Sequence, residues 1–170
     1  MEICPVTIDA VPTASPSGGL SLPTMSPEAI QKVRALQDAL ADCEQVDMPT
    51  EHLIHAGMYA RTVRLGPGVA LAGALLKVAT TVIVSGDCTV FIGDEAVELS
   101  GYNVLAGGAG RKQAFVTHSE VCITAIFATD AASVCEAEAE ATDEHESLQT
   151  RRVDAGALAF SGAQKCHMLP

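Results

Sequence analysis

Turn residues interrupt the chain at short, regular intervals between residues 57 and 128. Their spacing restricts the possible fold class more than any other feature of the sequence. The turn signals combine glycine with proline, aspartate or serine, as in Gly66-Pro67-Gly68. Eight apolar runs lie between them, at 58–65, 69–76, 80–85, 88–92, 95–99, 102–106, 111–117 and 121–128. Short runs bounded by turn signals at such spacing are typical of an antiparallel sandwich or barrel. The sequence therefore predicts a mainly β fold.

The composition agrees with strands as the main element. Hydrophobic residues make up 48% of the 170 residues, yet there is no Trp, and only two Tyr and four Phe occur. The core must therefore be built from Val, Ile, Leu and Ala, which suit short strands packed face to face better than a wide aromatic cleft. This length predicts about one domain.

Two segments at the ends of the chain lack a core of their own. Residues 1–25 contain four prolines with Ser and Gly between them, and residues 153–170 are rich in Gly and Ala. Such segments bury too little apolar surface to offset the entropy lost on ordering. Both are predicted to be extended arms.

A helix is predicted after the first arm, within a helix-and-linker segment at 26–47. Ser26 is a favourable N-cap and Pro27 a favourable first residue, so the helix should span 27–42. Its apolar residues recur at helical spacing and form a stripe that needs a surface to dock on. The members of this docking stripe are Ile30, Val33, Leu36 and Leu40.

An acidic segment at 131–152 is predicted to be a second helix. Six acidic residues lie between 136 and 146, and Arg151 and Arg152 follow at the end. Cations stabilise a helix C-terminus. The acidic block is expected to be a solvated helix face, with an interaction tail as the alternative.

The charge and the cysteines exclude several classes of protein. The net charge of −11 argues against direct binding of nucleic acid, whose affinity depends on Lys and Arg. No apolar run is long enough for a membrane span, and residues 1–10 lack the pattern of a signal peptide. Six cysteines without CxxC spacing are expected to be reduced thiols in a protein made in a cytoplasm.

Three segments in the β region resemble the cupin family. They are the Gly66-Pro67-Gly68 turn, the run 83–91 (IVSGDCTVF) and the run 101–105 (GYNVL). The resemblance implies a single cupin-like antiparallel β-barrel, or jelly roll, over 48–130. Residues 50–61 and 109–115 are more closely similar to cupin-like proteins of tailed bacteriophages and prophages, and 141–152 is similar to the acidic tail of that group. In all, the resemblance covers about residues 48–152.

The metal ligands of the cupin family are missing at the matching positions. Metal-binding cupins carry an H-x-H-x-x-x-x-E run and a later His. The first region corresponds to residues 73–80, which contain no His, Glu, Asp or Cys, and the later position falls near Arg111 or Lys112. Cationic side chains repel a divalent ion. No metal and no other cofactor is predicted.

Five residues are candidate partner or pocket contacts. His52 and His55 could bind zinc together on a helix, but on the extended segment expected here they would point apart. His118 could act as a base beside a carboxylate, or lie in a solvated turn. Arg111 and Lys112 follow a glycine-rich turn that lacks the ending of a phosphate loop, and could hold an acidic group at the barrel mouth.

Two functions follow, and neither assigns a catalytic residue. The first is a non-catalytic structural or assembly protein of a bacteriophage particle, in the head–tail or tail region rather than as capsid decoration. Its partners would be further copies of itself and other virion proteins, and it would be made in the host cytoplasm and reside in the virion. The alternative is a cupin that binds a small, sugar-like molecule, or a metal-independent relative of isomerases.

Overall fold

A computed structural model of the protein describes residues 20–93 and 95–148. The second predicted arm, and the first as far as residue 19, lie outside these ranges. The described elements are β1 (Ser21–Leu22), α1 (Pro27–Ala41), β2 (Thr50–His55), β3 (Met58–Leu65), β4 (Ala70–Ala72), β5 (Thr80–Ser85), β6 (Cys88–Ile92), β7 (Glu95–Leu99), β8 (Tyr102–Gly107), β9 (Ala114–Thr117), β10 (Val121–Ala128), α2 (Val134–Ala141) and a 3₁₀ helix (His145–Ser147).

The strands form two sheets in the order of a jelly roll. The larger sheet has the order β1-β8-β5-β10-β3-β2, and the smaller sheet has the order β4-β9-β6-β7. The eight strands from β3 to β10 divide equally between the sheets, and all their pairings are antiparallel. Strands distant in sequence are thus neighbours in space, as in two Greek keys. The mainly β fold predicted from the turn signals and the jelly roll implied by the cupin resemblance are confirmed.

The prediction of a closed barrel is wrong, because the two sheets share no continuous hydrogen-bonded ladder. The chain crosses between them through turns that cannot continue a strand. At the first crossing Pro67 lacks an N–H, and Gly68 has a φ of +76°, a conformation that favours glycine. Two facing sheets with a core between them describe the molecule better.

Most strand boundaries agree with the eight predicted runs, and the exceptions lie at one end of the molecule. The run 69–76 shortens to β4 and the run 111–117 shortens to β9, leaving a single bridge between Leu76 and Arg111. Two further strands join the larger sheet. β2 pairs with β3, and β1, from the end of the predicted arm, pairs in parallel with β8 and buries Leu22 completely.

Helix α1 lies against the smaller sheet. The Ser26 hydroxyl accepts a hydrogen bond from the Ala29 amide, and Pro27 occupies the first turn. Of the proposed docking stripe, Val33 is buried against Ala114 of β9, while Ile30 and Leu36 are partly buried there. Leu40 is half-buried and lies outside this cluster. The stripe therefore packs on the protein's own sheet.

Helix α2 is shorter than the predicted acidic helix. It ends where Thr142 turns to an extended conformation, and a short 3₁₀ helix follows. Ala137 and Ala141 pack against Tyr59 and Phe127 of the larger sheet. The acidic block is not wholly a solvated face, because Glu138 lies on the packed side and is only 3% exposed. Residues 149–152 lie outside the described ranges.

The expectation of six reduced thiols is wrong at Cys135, which is disulfide-bonded. Scattered cysteines without a spacing motif carry no information on pairing, which depends on the distance between them in the fold. Cys88 and Cys122 retain their thiols. In the part of the chain described by the structure, no helix is long and apolar enough to cross a membrane.

Candidate binding cavity

One inward position of β3 holds an arginine rather than an apolar residue. Successive side chains of a strand point to opposite faces, so Arg61 shares the inner face with Val63 and Leu65 of the core. The β-ladders place Arg61 opposite Ala125, and Ala125 opposite Val82. Because Ala125 has a small side chain, space remains beside the guanidinium.

The side of the smaller sheet contributes two further inward polar residues. The alternation that buries Phe115 in the core also turns Gln113 and Arg111 inward, although both precede the first paired residue of β9. Arg111 is 2% exposed and Gln113 is 7% exposed. Lys112, between them, does not line the interior space.

These side chains line a cavity of about 150 Å³ between the sheets at the end covered by α2. Most of its lining is apolar. The described lining residues with polar side-chain atoms are Tyr59, Arg61, Thr80, Arg111, Gln113, Glu138 and Thr142. A site with a mainly apolar lining and a few convergent polar groups is the usual form of a small-molecule site.

The guanidinium of Arg111 is held from one side by the protein. Its Nη1 donates to the carbonyl of Gly108, and its Nη2 donates to the hydroxyl of Thr80. A Cβ at Gly107 would lie 2.6 Å from the guanidinium carbon, so the close approach requires glycine. Burial lowers the pKa of Arg111 to about 10, which leaves the side chain charged at neutral pH.

Besides Oε1 of the Glu138 carboxylate, three buried polar atoms on the cavity wall make no hydrogen bond to the described residues. They are Nε of Arg61, Nε of Arg111 and Oε1 of Gln113. A buried polar atom without a hydrogen bond costs about 1–3 kcal/mol, so such atoms are rare and concentrate at functional positions. Their convergence on one cavity marks it as the candidate site.

Arg61 has a carboxylate nearby, at a distance beyond hydrogen bonding. Its Nε lies 3.7 Å from Oε1 of Glu138 on α2. Burial lowers the pKa of Arg61, and the Glu138 carboxylate opposes that shift. Arg111 differs, because none of the described residues places a carboxylate within 4 Å of its guanidinium.

Lys112 takes part in a separate ionic cluster beside the cavity. Its fully buried Nζ lies 2.6 Å from Oε2 of Glu144, which also accepts the amide of Leu75, while Arg34 of α1 lies 3.5 Å from Oε1. Burial alone raises the pKa of Glu144, but the hydrogen bonds from Lys112 and Leu75 outweigh it and lower the pKa. Lys112 thus has an acidic partner within the chain.

The histidine candidates lie outside the cavity. His52 and His55 are three residues apart on β2 and so point to opposite faces. Nδ1 of His52 lies 2.8 Å from the hydroxyl of Tyr59. Among the described residues there is no group of three or more His, Cys, Asp or Glu placed to hold a metal ion.

His118 forms a polar cluster on the outside of the smaller sheet. Its Nε2 lies 2.7 Å from Oγ1 of Thr89 and 3.6 Å from Oε2 of Glu98. The Thr89 hydroxyl donates to Oε1 of Glu98, so Nε2 of His118 is the donor toward Thr89. A carboxylate does neighbour His118, but it comes from β7 rather than from its own turn.

The sequence did not identify three residues of the cavity wall as site residues: Arg61, Gln113 and Glu138. The signal that could have found Arg61 is its place between Tyr59 and Val63 at every second residue of an apolar run. Glu138 gave no such signal, because an acidic residue among five others is indistinguishable from a solvated one.

No protein-family model matches the chain, and no curated protein matches its sequence. Several of the solved structures similar to it are cupins. A cupin superfamily protein from Desulfitobacterium hafniense is 14% identical, with 74% of this chain and 100% of that chain covered at a TM-score of 0.44. An RmlC-like cupin with a double-stranded β-helix fold from Methanocaldococcus jannaschii is 12% identical, with 52% and 85% covered at 0.42.

A third similar structure is the Cupin_2 domain of an XRE family transcriptional regulator from Enterobacter cloacae. It is 17% identical, with 46% of this chain and 93% of that domain covered at a TM-score of 0.40. Similarity at this level concerns the course of the chain and says nothing about a ligand. Nothing in these comparisons supports the bacteriophage resemblance, which stays a prediction.

Proposed function

We propose that this protein is a non-catalytic binding protein that holds one small organic molecule in the cavity between its sheets. The observation that carries the proposal is the convergence of three buried, unsatisfied polar atoms, on Arg61, Arg111 and Gln113, upon one largely apolar space. A bound molecule would satisfy these atoms and fill the volume. Both changes favour the complex over the empty protein.

Binding fits this cavity better than catalysis does. An isomerase needs an acid and a base at opposite sides of its substrate. Glu138 is the single carboxylate on the described cavity wall, and no His, Cys, Asp, Lys or Ser lines it. The hydroxyls of Thr80 and Thr142 have no described base beside them that could activate a nucleophile. The Tyr59 hydroxyl is already engaged by Nδ1 of His52, which lies outside the cavity.

Methyl NMR of the full chain tests the proposal, with toluene and hexanoate as probes. We expect the methyl signals of lining residues such as Val82 and Ile123 to shift with at least one probe. Ala125→Leu fills the space beside Arg61 and should abolish the shifts. Ala106→Leu adds the same volume at an exposed position of β8 and should leave them unchanged. If neither probe moves the lining methyls, the proposal is wrong.

The assembly function remains a second candidate, and the outer face of the larger sheet favours it. Leu53, Tyr102 and Val104 are exposed there, with Ile83 and Ile126 partly buried between them. An apolar surface of this kind is typical of a protein interface. The occupant proposed is a second copy of this chain, since the Arg64–Glu51 ion pair on the same face offers both charges to a two-fold partner.

Sedimentation of the full chain tests this second candidate. A dimer that dissociates on Val104→Glu would support it, while Glu95→Gln on the smaller sheet serves as the control. A monomer at all concentrations would overturn self-association through this face. A place in a virion would require, in addition, that the chain be found by mass spectrometry in gradient-banded particles.

A further inference from the structure

We propose that the molecule bound in the cavity is a small monocarboxylate with a short hydrocarbon body, held through the guanidinium of Arg111. This inference rests on the proposed binding function and names the chemical class of its ligand. Three properties of the cavity lead to it: its charge, the donors left on Arg111, and the shape and polarity of the remaining space.

The charge of the cavity wall is unbalanced. Among the described residues, two guanidinium groups and one carboxylate line it, and the carboxylate of Glu138 lies beside Arg61. Arg111 is 2% exposed and has no carboxylate within 4 Å among the described residues. A buried charge is costly unless an opposite charge compensates it. An anion in the cavity would provide that compensation at Arg111.

The donors of Arg111 fit a carboxylate. A guanidinium has five N–H donors, and the protein uses one on Nη1 and one on Nη2. Nε makes no hydrogen bond with the described residues, and the second proton of each Nη is also left. Two adjacent donors of a guanidinium match the two oxygens of a carboxylate. The contacts to Gly108 and Thr80 hold this fork in place before a ligand binds.

The rest of the cavity fits a hydrocarbon body and not a sugar. Beyond the polar groups its wall consists of apolar side chains, among them Leu71, Val82, Phe115 and Ile123. A sugar would need hydrogen bonds on every side to replace those it makes with water. The volume of about 150 Å³ is close to that of an apolar cavity known to hold benzene, which limits the body to about five to eight carbons.

Calorimetric titration of the full chain with three probes of equal length tests the class. Hexanoate, hexanamide and hexylammonium share the hydrocarbon body and differ in the charge of the head group. We expect hexanoate to bind about tenfold or more tightly than hexanamide, because charge-assisted hydrogen bonds are about twice as strong as neutral ones. Hexylammonium should bind more weakly than either.

Variants test whether Arg111 causes the preference for hexanoate over hexanamide. Arg111→Gln should lower hexanoate affinity to that of hexanamide and leave hexanamide binding nearly unchanged. Arg64→Gln removes an exposed arginine from the outer face of β3 and should change neither. Gly107→Ala is a second route to the same result if Arg111→Gln does not fold. Its new Cβ would displace the guanidinium and should weaken hexanoate binding selectively.

The outcomes separate this inference from the proposed function. Equal binding of hexanoate and hexanamide, or unchanged selectivity in both Arg111→Gln and Gly107→Ala, would overturn the carboxylate class while leaving the binding function standing. Failure of hexanoate, hexanamide and toluene alike to bind would overturn both proposals. Selective hexanoate binding that is lost in either variant and kept in Arg64→Gln supports both.

Discussion

The two ends of the jelly-roll interior follow the same alternation of side chains and differ in what those side chains are. At the apolar end, the described inward residues around Val84, Val90, Cys88 and Leu99 are aliphatic or thiol groups, apart from Thr117, whose buried hydroxyl is hydrogen-bonded. The cavity end has Arg61, Arg111 and Gln113 at equivalent inward positions of the sheets, with Glu138 of α2 beside them, and leaves a space.

In this jelly roll the residues that stabilise the fold and the residues that line the cavity lie at different ends of the interior. At the apolar end the inward residues are apolar or, like Thr117, hydrogen-bonded, so they are compatible with burial and their packing stabilises the fold. At the cavity end four polar or charged side chains lie in a buried environment that disfavours them. Such unfavourable positions are expected where a protein binds a ligand. Substitutions of similar chemistry should therefore have different effects at the two ends.

The largest effect is expected at the apolar end. Leu99→Ala removes a buried side chain from close packing and should lower the free energy of unfolding by about 3 kcal/mol. Urea unfolding followed by circular dichroism measures this change. Leu53→Ala truncates an exposed leucine on β2 and should cost less than about 0.5 kcal/mol. Equal costs for both would show that the apolar end is not the packed core.

The next effect lies beside the cavity, at the Lys112–Glu144 pair. Lys112→Met removes the partner of a partly buried carboxylate and should lower the free energy of unfolding by about 2 kcal/mol. Lys77→Met breaks the more exposed pair with Asp143 and should cost less than about 1 kcal/mol. If the two substitutions cost the same, burial does not strengthen the pair at Lys112.

The same pair should make stability depend on pH. The pKa of Glu144 is lowered from 4.5 in the folded protein, so the unfolded chain takes up its proton first as the pH falls. This contribution to stability is present above pH 4.5 and is lost as the pH falls through the lowered pKa. Glu144→Gln should destabilise the protein at pH 7 and have a smaller effect at pH 3. Urea titrations at both pH values measure the difference, and an equal cost at both would contradict it.

The smallest effect on stability is expected on the cavity wall itself. Gln113→Leu removes a carbonyl oxygen that makes no hydrogen bond to the described residues, together with an amide nitrogen whose contacts with the Phe91 carbonyl and the Met25 sulfur are long, at 3.4 and 3.6 Å. The free energy of unfolding should therefore change by less than about 1 kcal/mol. Thr117→Val, four residues further along the chain in β9, is the control, because the Thr117 hydroxyl hydrogen bonds to Gly66 and Val69. Thr117→Val should therefore be the more destabilising substitution. The opposite order would show that Gln113 contributes to the fold.

Part of the site was accessible from the sequence, and part was not. Arg111 and Lys112 were singled out together as contacts for an acidic group. In the structure one lines the cavity and the other pairs with Glu144, because neighbouring residues of an extended chain point to opposite sides. Glu138 could not be identified, since its burial depends on the packing of α2 against Tyr59 and Phe127, which are distant in sequence.

The sequence by itself determined the strands, the turns between them and the start of α1. These features depend on residues only a few positions apart, such as Ser26 with Pro27 or the glycine turn at residues 66–68. Tertiary structure alone decided that the sheets remain open, that β1 enters the larger sheet, and that two arginines face a common space. Each of these depends on contacts between distant residues, which no local pattern encodes.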